Sequence, residues 1–162
     1  MIDKQVFITT DYCLGIDVSD AQGIIDWKKV KNYGVSFAFC KATEGETFVS
    51  KRFRYNWDNI KIAGIMRGAY HFCHTKNDPI KEANHFINTI GQVDDSDLLV
   101  LDIEDVKSKL NHEQFIDWTL TFLETVEQLT NIVPLVYTGA PYFDTCGGKP
   151  NKDIIKKLSR FP

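Results

Sequence analysis

The sequence has 162 residues, of which 43% are hydrophobic and 25% charged. That length holds one domain with a sizeable core, and the composition is that of a globular protein rather than a disordered or fibrous one. A net charge of −3 lacks the basic excess that meets a phosphate backbone, which argues against a nucleic-acid partner.

Residues 1–13 read as a leader, and residues 14–162 as one run of alternating strands and helices. Residues 14–19 form the first strand, with Asp17 and Ser19 at its end. Asp26 caps a short helix that opens at Trp27 and closes before Gly34. Residues 35–41 make a second buried strand, followed by a Gly-bearing loop over 42–47. Phe53, Trp57, Ile60, Ile62 and Ala63 give the next helix an apolar side, and Gly64 stops it. The third strand spans 65–72. Asp78 then caps a helix with Pro79 at its first position, and Ala83, Phe86, Ile87 and Ile90 face inward. Four aliphatic residues, 98–101, mark a strand buried on both faces. A long helix follows from His112 to about Leu129, with Phe115, Ile116, Leu120, Leu123, Val126 and Leu129 inward. The fifth strand covers 132–137, with Pro134 near its start. Residues 139–150 read as a structured loop and 153–159 as a last helix.

Five strand–helix units imply right-handed crossovers and a parallel sheet, hence an α/β fold, either a β/α barrel or an open sheet. Polar residues gather at the carboxyl ends of the strands: Asp17, Lys41 with Glu44, Tyr70 with His71, Asp102 with Glu104, and Tyr137. In such folds that rim is where sites form. Asp102 and Glu104 stand two apart on one strand, so they point to the same side while Ile103 points to the other. Two carboxylates so placed can address one bond while their repulsion raises one pKa. The plainer readings are a charged turn for Asp102 and Glu104, an ion pair for Lys41 and Glu44, and a hydrogen-bonded core histidine for His71.

No Gly-rich phosphate loop follows any strand, which counts against a nucleotide-binding open sheet. Cys40, His71, Cys73 and His74 lack the spacing of a zinc site, so no metal or other cofactor is implied. None of the four cysteines lies in a CxxC pair, and buried free thiols are expected at Cys13, Cys40 and Cys73. Residues 1–5 lead into no long apolar segment of a secretion signal, and no run approaches a membrane span.

The ordered set Gly15-Ile16-Asp17-Val18-Ser19, Lys41-Ala42-Thr43-Glu44-Gly45, Gly68-Ala69-Tyr70-His71-Phe72, Leu101-Asp102-Ile103-Glu104 and Val136-Tyr137-Thr138 resembles the glycoside hydrolase family 25 lysozymes. The resemblance implies an irregular TIM-like β/α barrel, here incomplete: residues 14–162 would be the catalytic domain lacking the last three strands. A partner protein or a second copy would then cover the gap. It also implies retaining cleavage of the β-1,4 bond between N-acetylmuramic acid and N-acetylglucosamine in peptidoglycan. Glu104 matches the general acid/base and Asp102 its partner, acting as nucleophile or electrostatic aid or by positioning the substrate's N-acetyl group. Asp17 matches a further catalytic acid; Tyr70, Tyr137, Glu44 and His71 match substrate-binding positions. Like charges at Asp17 and Asp102 would keep Glu104 protonated near neutrality. The expected place of action is the bacterial cell wall, reached by an endolysin-like or other non-classical route. The competing expectation is a wall-binding or structural module, as in a phage particle, with the same fold and no turnover.

Overall fold

Parallel strands and flanking helices alternate along the chain, as the apolar runs require. The computed structural model describes residues 12–104, 110–139, 156 and 158–161. Within them the elements are β1 (Leu14–Val18), α1 (Trp27–Asn32), β2 (Val35–Glu44), β3 (Phe48–Val49), α2 (Phe53–Ile62), β4 (Met66–Phe72), α3 (Pro79–Ile90), β5 (Leu98–Asp102), α4 (His112–Thr130) and β6 (Leu135–Tyr137). The sheet order is β1-β2-β4-β5-β6, all parallel, with β3 added antiparallel to the end of β2. The sheet curls into a half-barrel, the incomplete barrel expected. Residues 1–11 of the leader expected over 1–13, the loop over 140–150 and most of the last helix lie outside the described residues.

Helix starts follow their caps. The Asp26 carboxylate accepts the Lys29 N–H, Asp78 accepts from Ile80 and Lys81 ahead of Pro79, and Asn111 forms a reciprocal cap with Gln114. Several expectations are corrected. β2 continues to Glu44 and turns through Gly45, at φ +56°, into β3, so the segment read as a loop is largely a hairpin. β6 begins at Leu135 rather than 132, because Pro134 offers no N–H to the ladder. In α4 the inward stripe includes Trp118 and Phe122, while Leu129, in the last turn, is exposed. Ile62, in the last turn of α2, is exposed as well. Cys13 is an exposed thiol just before β1, whereas Cys40 and Cys73 are buried as expected.

Strand parity divides the sheet. Ala38, Cys40, Ala69, Leu99, Leu101 and Ile103 join Trp57, Ile60, Phe86, Phe122 and Leu123 in one core beneath the helices. The alternate residues, among them Phe37, Phe39, Tyr70, Val100 and Asp102, line the concave face. Two glycines make that lining possible. A Cβ on Gly15 would sit 1.9 Å from the Phe37 ring, and one on Gly68 would sit 2.2 Å from the Phe39 ring. Each ring therefore lies across a neighbouring strand's backbone and fills the floor of the half-barrel.

The entry of β5 is held by a buried ion pair. Arg67 on β4 grips Asp97, with Nε donating to Oδ1 at 2.6 Å and Nη2 to Oδ2 at 2.8 Å. The guanidinium stacks 3.8 Å from the Trp57 ring centroid and donates to the Trp57 carbonyl. Asp97 also accepts the N–H of Asp94, so the turn before β5 closes on the same carboxylate. Removing one partner of such a pair strands the other charge. Asp97→Ala is expected to lower stability by about 3–5 kcal/mol in urea unfolding. A loss below about 1 kcal/mol would mean the pair behaves as a surface bridge does.

Candidate active site

The concave face closes around a cavity of about 690 Å³. Phe37, Phe39, Val100 and Leu135 supply its apolar floor, and Asp17, Lys41, Tyr70, Asp102, Glu104 and Tyr137 its polar rim. The rim is where it should be by the rules of parallel sheets, at the carboxyl ends of β1, β2, β4, β5 and β6. An apolar floor with convergent polar groups above it suits an amphipathic ligand such as a sugar.

Asp102 and Glu104 leave β5 on the cavity side, while Ile103 between them is buried in the core. Ile103 N–H donates to the Tyr137 carbonyl at 2.9 Å, which extends the β5–β6 ladder past the strand end and holds Tyr137 beside the two acids. Asp102 is 9% exposed. Burial first, then the charge of Glu104, pushes its carboxyl up to about 7; Asp17 and Glu44 add to this, and Lys41 opposes it. Like charge, expected from the sequence to act within this pair, bears here on Asp102, and burial adds to it. The burial of the last ladder residue is the term that strand spacing does not contain. One Asp102 oxygen, Oδ1, is buried and takes no hydrogen bond among the described residues.

Tyr70, opposite Val100 on the β4–β5 ladder, shares the cavity face with Asp102 two residues further along β5. Burial, then the charges of Asp17 and Asp102, pushes its phenol up, so it remains a neutral hydrogen-bond donor. Tyr137 is 56% exposed and presents a broad ring at the opposite lip. Asp17 is exposed on β1, and it is Ser19 that caps the following turn.

Two expected site residues do not line the cavity. His71 is fully buried on the helix side of the sheet, its Nε2 2.9 Å from Glu82 and its Nδ1 2.7 Å from the Thr43 hydroxyl. Parity explains the correction: adjacent strand residues face opposite ways, so Tyr70 and His71 cannot both face the cleft. Burial, against the pull of Glu82, holds the His71 pKa below its usual value. Glu44 lies behind the rim, paired to Lys41 at 2.5 Å and to His74 at 3.0 Å. The same parity from Tyr70, Lys41 and Asp102 would have found Phe72, Phe39, Phe37 and Val100 as lining residues. Among the described residues no group of three His, Cys, Asp or Glu could hold a metal ion, and no helix is long and apolar enough to cross a membrane.

The model of the glycosyl hydrolases family 25 matches residues 16–157. The chain belongs to family 25. Lysozyme M1 of Streptomyces globisporus is 39% identical to it over 146 residues, covering 85% of this chain and 50% of that protein. The structure of a Streptomyces coelicolor lysozyme superposes with a TM-score of 0.79 at 37% identity, over 85% of this chain and 68% of that one. A family 25 glycosyl hydrolase from Bacillus anthracis gives a TM-score of 0.77 at 28% identity, over 84% and 65% of the two chains. The chain thus spans about half the length of curated family 25 relatives such as Lysozyme M1.

The raised Asp102 carboxyl has a measurable consequence for stability. Between the unfolded value of 3.8 and the folded value of about 7, the folded chain holds a proton that the unfolded chain has lost. The stability this contributes is complete below 3.8 and declines as pH rises through about 7, at about 1.4 kcal/mol per unit. Asp102→Asn removes that dependence. The gap in unfolding free energy between this variant and the native chain is expected to widen from pH 4 to pH 7 and then level off; a constant gap would place the proton elsewhere.

Proposed function

We propose that this cleft cleaves the β-1,4 bond between N-acetylmuramic acid and N-acetylglucosamine in peptidoglycan, with retention at the anomeric carbon, at the bacterial cell wall. The observation that carries the reading is the pair Asp102 and Glu104 on the cavity side of β5, in a family 25 chain, with Asp17, Tyr70 and Tyr137 on the same cavity. The relatives named lysozyme support the substrate class.

Glycoside cleavage needs a proton on the departing oxygen and negative charge beside an oxocarbenium-like centre. Near neutrality burial, with the charge of Glu104 beside it, opposes ionisation of Asp102. Glu104, the less buried of the two, delivers a proton to the leaving oxygen. The positive charge that develops at the anomeric carbon then favours the ionised form of Asp102. Glu104, now a carboxylate, takes a proton from the water that completes hydrolysis. The unpartnered Asp102 Oδ1 favours a hydrogen bond from the ligand, and an acetamido N–H is a donor of the right kind. The same contact would align the acetamido oxygen toward the anomeric carbon. Tyr70 donates to a sugar oxygen, and Tyr137 offers a face on which a sugar ring can stack.

Glu104→Gln keeps the shape and removes the transferable proton. The variant is expected to retain the native melting temperature and to lose roughly 10²–10⁴-fold or more in release of reducing ends from purified peptidoglycan. Release at the native rate would remove Glu104 from the acid role.

A further inference from the structure

The cleft has a second polar system behind its wall, built around a defect in β2. The β2–β4 ladder shifts register between Lys41 and Thr43: Lys41 pairs with Tyr70, Thr43 with His71 and Glu44 with Phe72. One extra residue, the fully buried Ala42, is inserted there. In a regular strand Lys41 and Thr43 would share a face. The bulge instead sends Thr43 to the helix side with His71 and brings Glu44 round to the side of Lys41.

Lys41 is the one basic side chain among the described residues that line the cavity. Its ammonium is pinned on three sides. Glu44 Oε2 lies 2.5 Å away, and the Phe72 and Phe48 ring centroids lie 5.0 and 5.5 Å away. Glu44 is itself fixed, because its other oxygen, Oε1, receives His74 Nε2 at 3.0 Å. His74 is held in turn by its backbone N–H, which donates to both Glu82 oxygens at 3.3 and 3.1 Å. Glu82 is fully buried and also takes Asn77 Nδ2 at 2.6 Å and His71 Nε2 at 2.9 Å. The Thr43 hydroxyl completes a ring through His71 back to β2. Gly45, at φ +56°, leaves room for the ring: a Cβ there would lie 2.9 Å from His74 Cδ2. Against the effect of burial, the hydrogen bond and charge of Lys41, with those of His74, hold Glu44 below the usual carboxylate range.

We propose that Glu44 and His74 are positioning residues of the carboxylate site, holding the Lys41 ammonium in the cleft wall so that its charge bears on Asp102. A lysine on a four-carbon stem, left alone in a half-open wall, would swing out to solvent and take its charge with it. The buried His71 and Glu82 behind it do not line the cavity. They anchor His74, which anchors Glu44, which anchors Lys41. The groups that bear on Asp102 are Glu104 from its own segment, Lys41 and Glu44 from β2, and Asp17 from β1. Those facing His74 are Glu44 from β2 and Glu82 from α3. The inference deepens the glycosidase reading of this cleft, but its test needs no turnover.

The test is the titration of the Asp102 carboxyl by carbon-13 NMR in the full chain without substrate. Lys41→Met is expected to raise the Asp102 midpoint by roughly one pH unit. His74→Leu is expected to raise it in the same direction, and the double variant Lys41→Met/His74→Leu to raise it no further than Lys41→Met alone. His74→Gln, which keeps a donor toward Glu44, is expected to restore the native midpoint. An unchanged midpoint in His74→Leu, or a shift that adds in full to that of Lys41→Met, would overturn the proposal. Should His74→Leu fail to fold, Lys41→Met decides, and an unchanged Asp102 midpoint there overturns the proposal equally. A chain that shows the shifts yet cleaves no peptidoglycan would fail the glycosidase reading and leave this one standing.

Discussion

The half-barrel depends on where β5 enters the sheet, and one buried ion pair sets that point. Arg67 and Asp97 meet fork to fork at the base of β4 and β5, with Trp57 beneath the guanidinium. From there the ladder runs Gly68 opposite Leu98 up to Phe72 opposite Asp102. The side-chain period of two does the rest. Leu99, Leu101 and Ile103 go into the core, and Val100, Asp102 and Glu104 go to the cavity. A slip by one residue would bury both carboxylates under the helices and expose the leucines. A buried ion pair is a weak source of net stability, but it is a strong specifier of register, because no other register satisfies both charges.

Above that base the sheet separates two kinds of chemistry. On the concave side the carboxylates share a cavity with an apolar floor, so desolvation and mutual repulsion act together on Asp102. On the convex side His71 and Glu82 are satisfied by each other and by Thr43, Asn77 and the His74 backbone. The bulge at Ala42 joins the two sides. It turns a strand that would carry one alternating pattern into one that serves the core at Thr43 and the cleft wall at Lys41 and Glu44.

Much of this was legible in the amino-acid order, and the limits are physical. The aliphatic run before Asp102, the caps at Asp26 and Asp78, and the glycines after the first two helices located the elements to within a few residues, because those signals are local. The facing of Asp102 and Glu104 followed from strand parity alone. His71 was misplaced by ignoring that parity against Tyr70. Glu44, His74 and Glu82 could not be connected from the sequence, since the bulge changes the register and their partners lie 8 to 30 residues away. The same is true of Arg67 with Asp97, 30 residues apart. The larger cause that raises the Asp102 carboxyl was not legible, because burial, unlike charge, is not written in spacing.

If the paired acids of β5 bind sugar on the concave face, a muropeptide-type disaccharide should bind beside them. The most direct measurement is an amide and side-chain NMR titration of the chain with the N-acetylmuramic acid–N-acetylglucosamine disaccharide. Perturbations confined to Asp17, Lys41, Tyr70, Asp102, Glu104 and Tyr137 are the predicted result. Perturbations centred on the convex side, or none at saturating disaccharide, would place sugar binding elsewhere or exclude it.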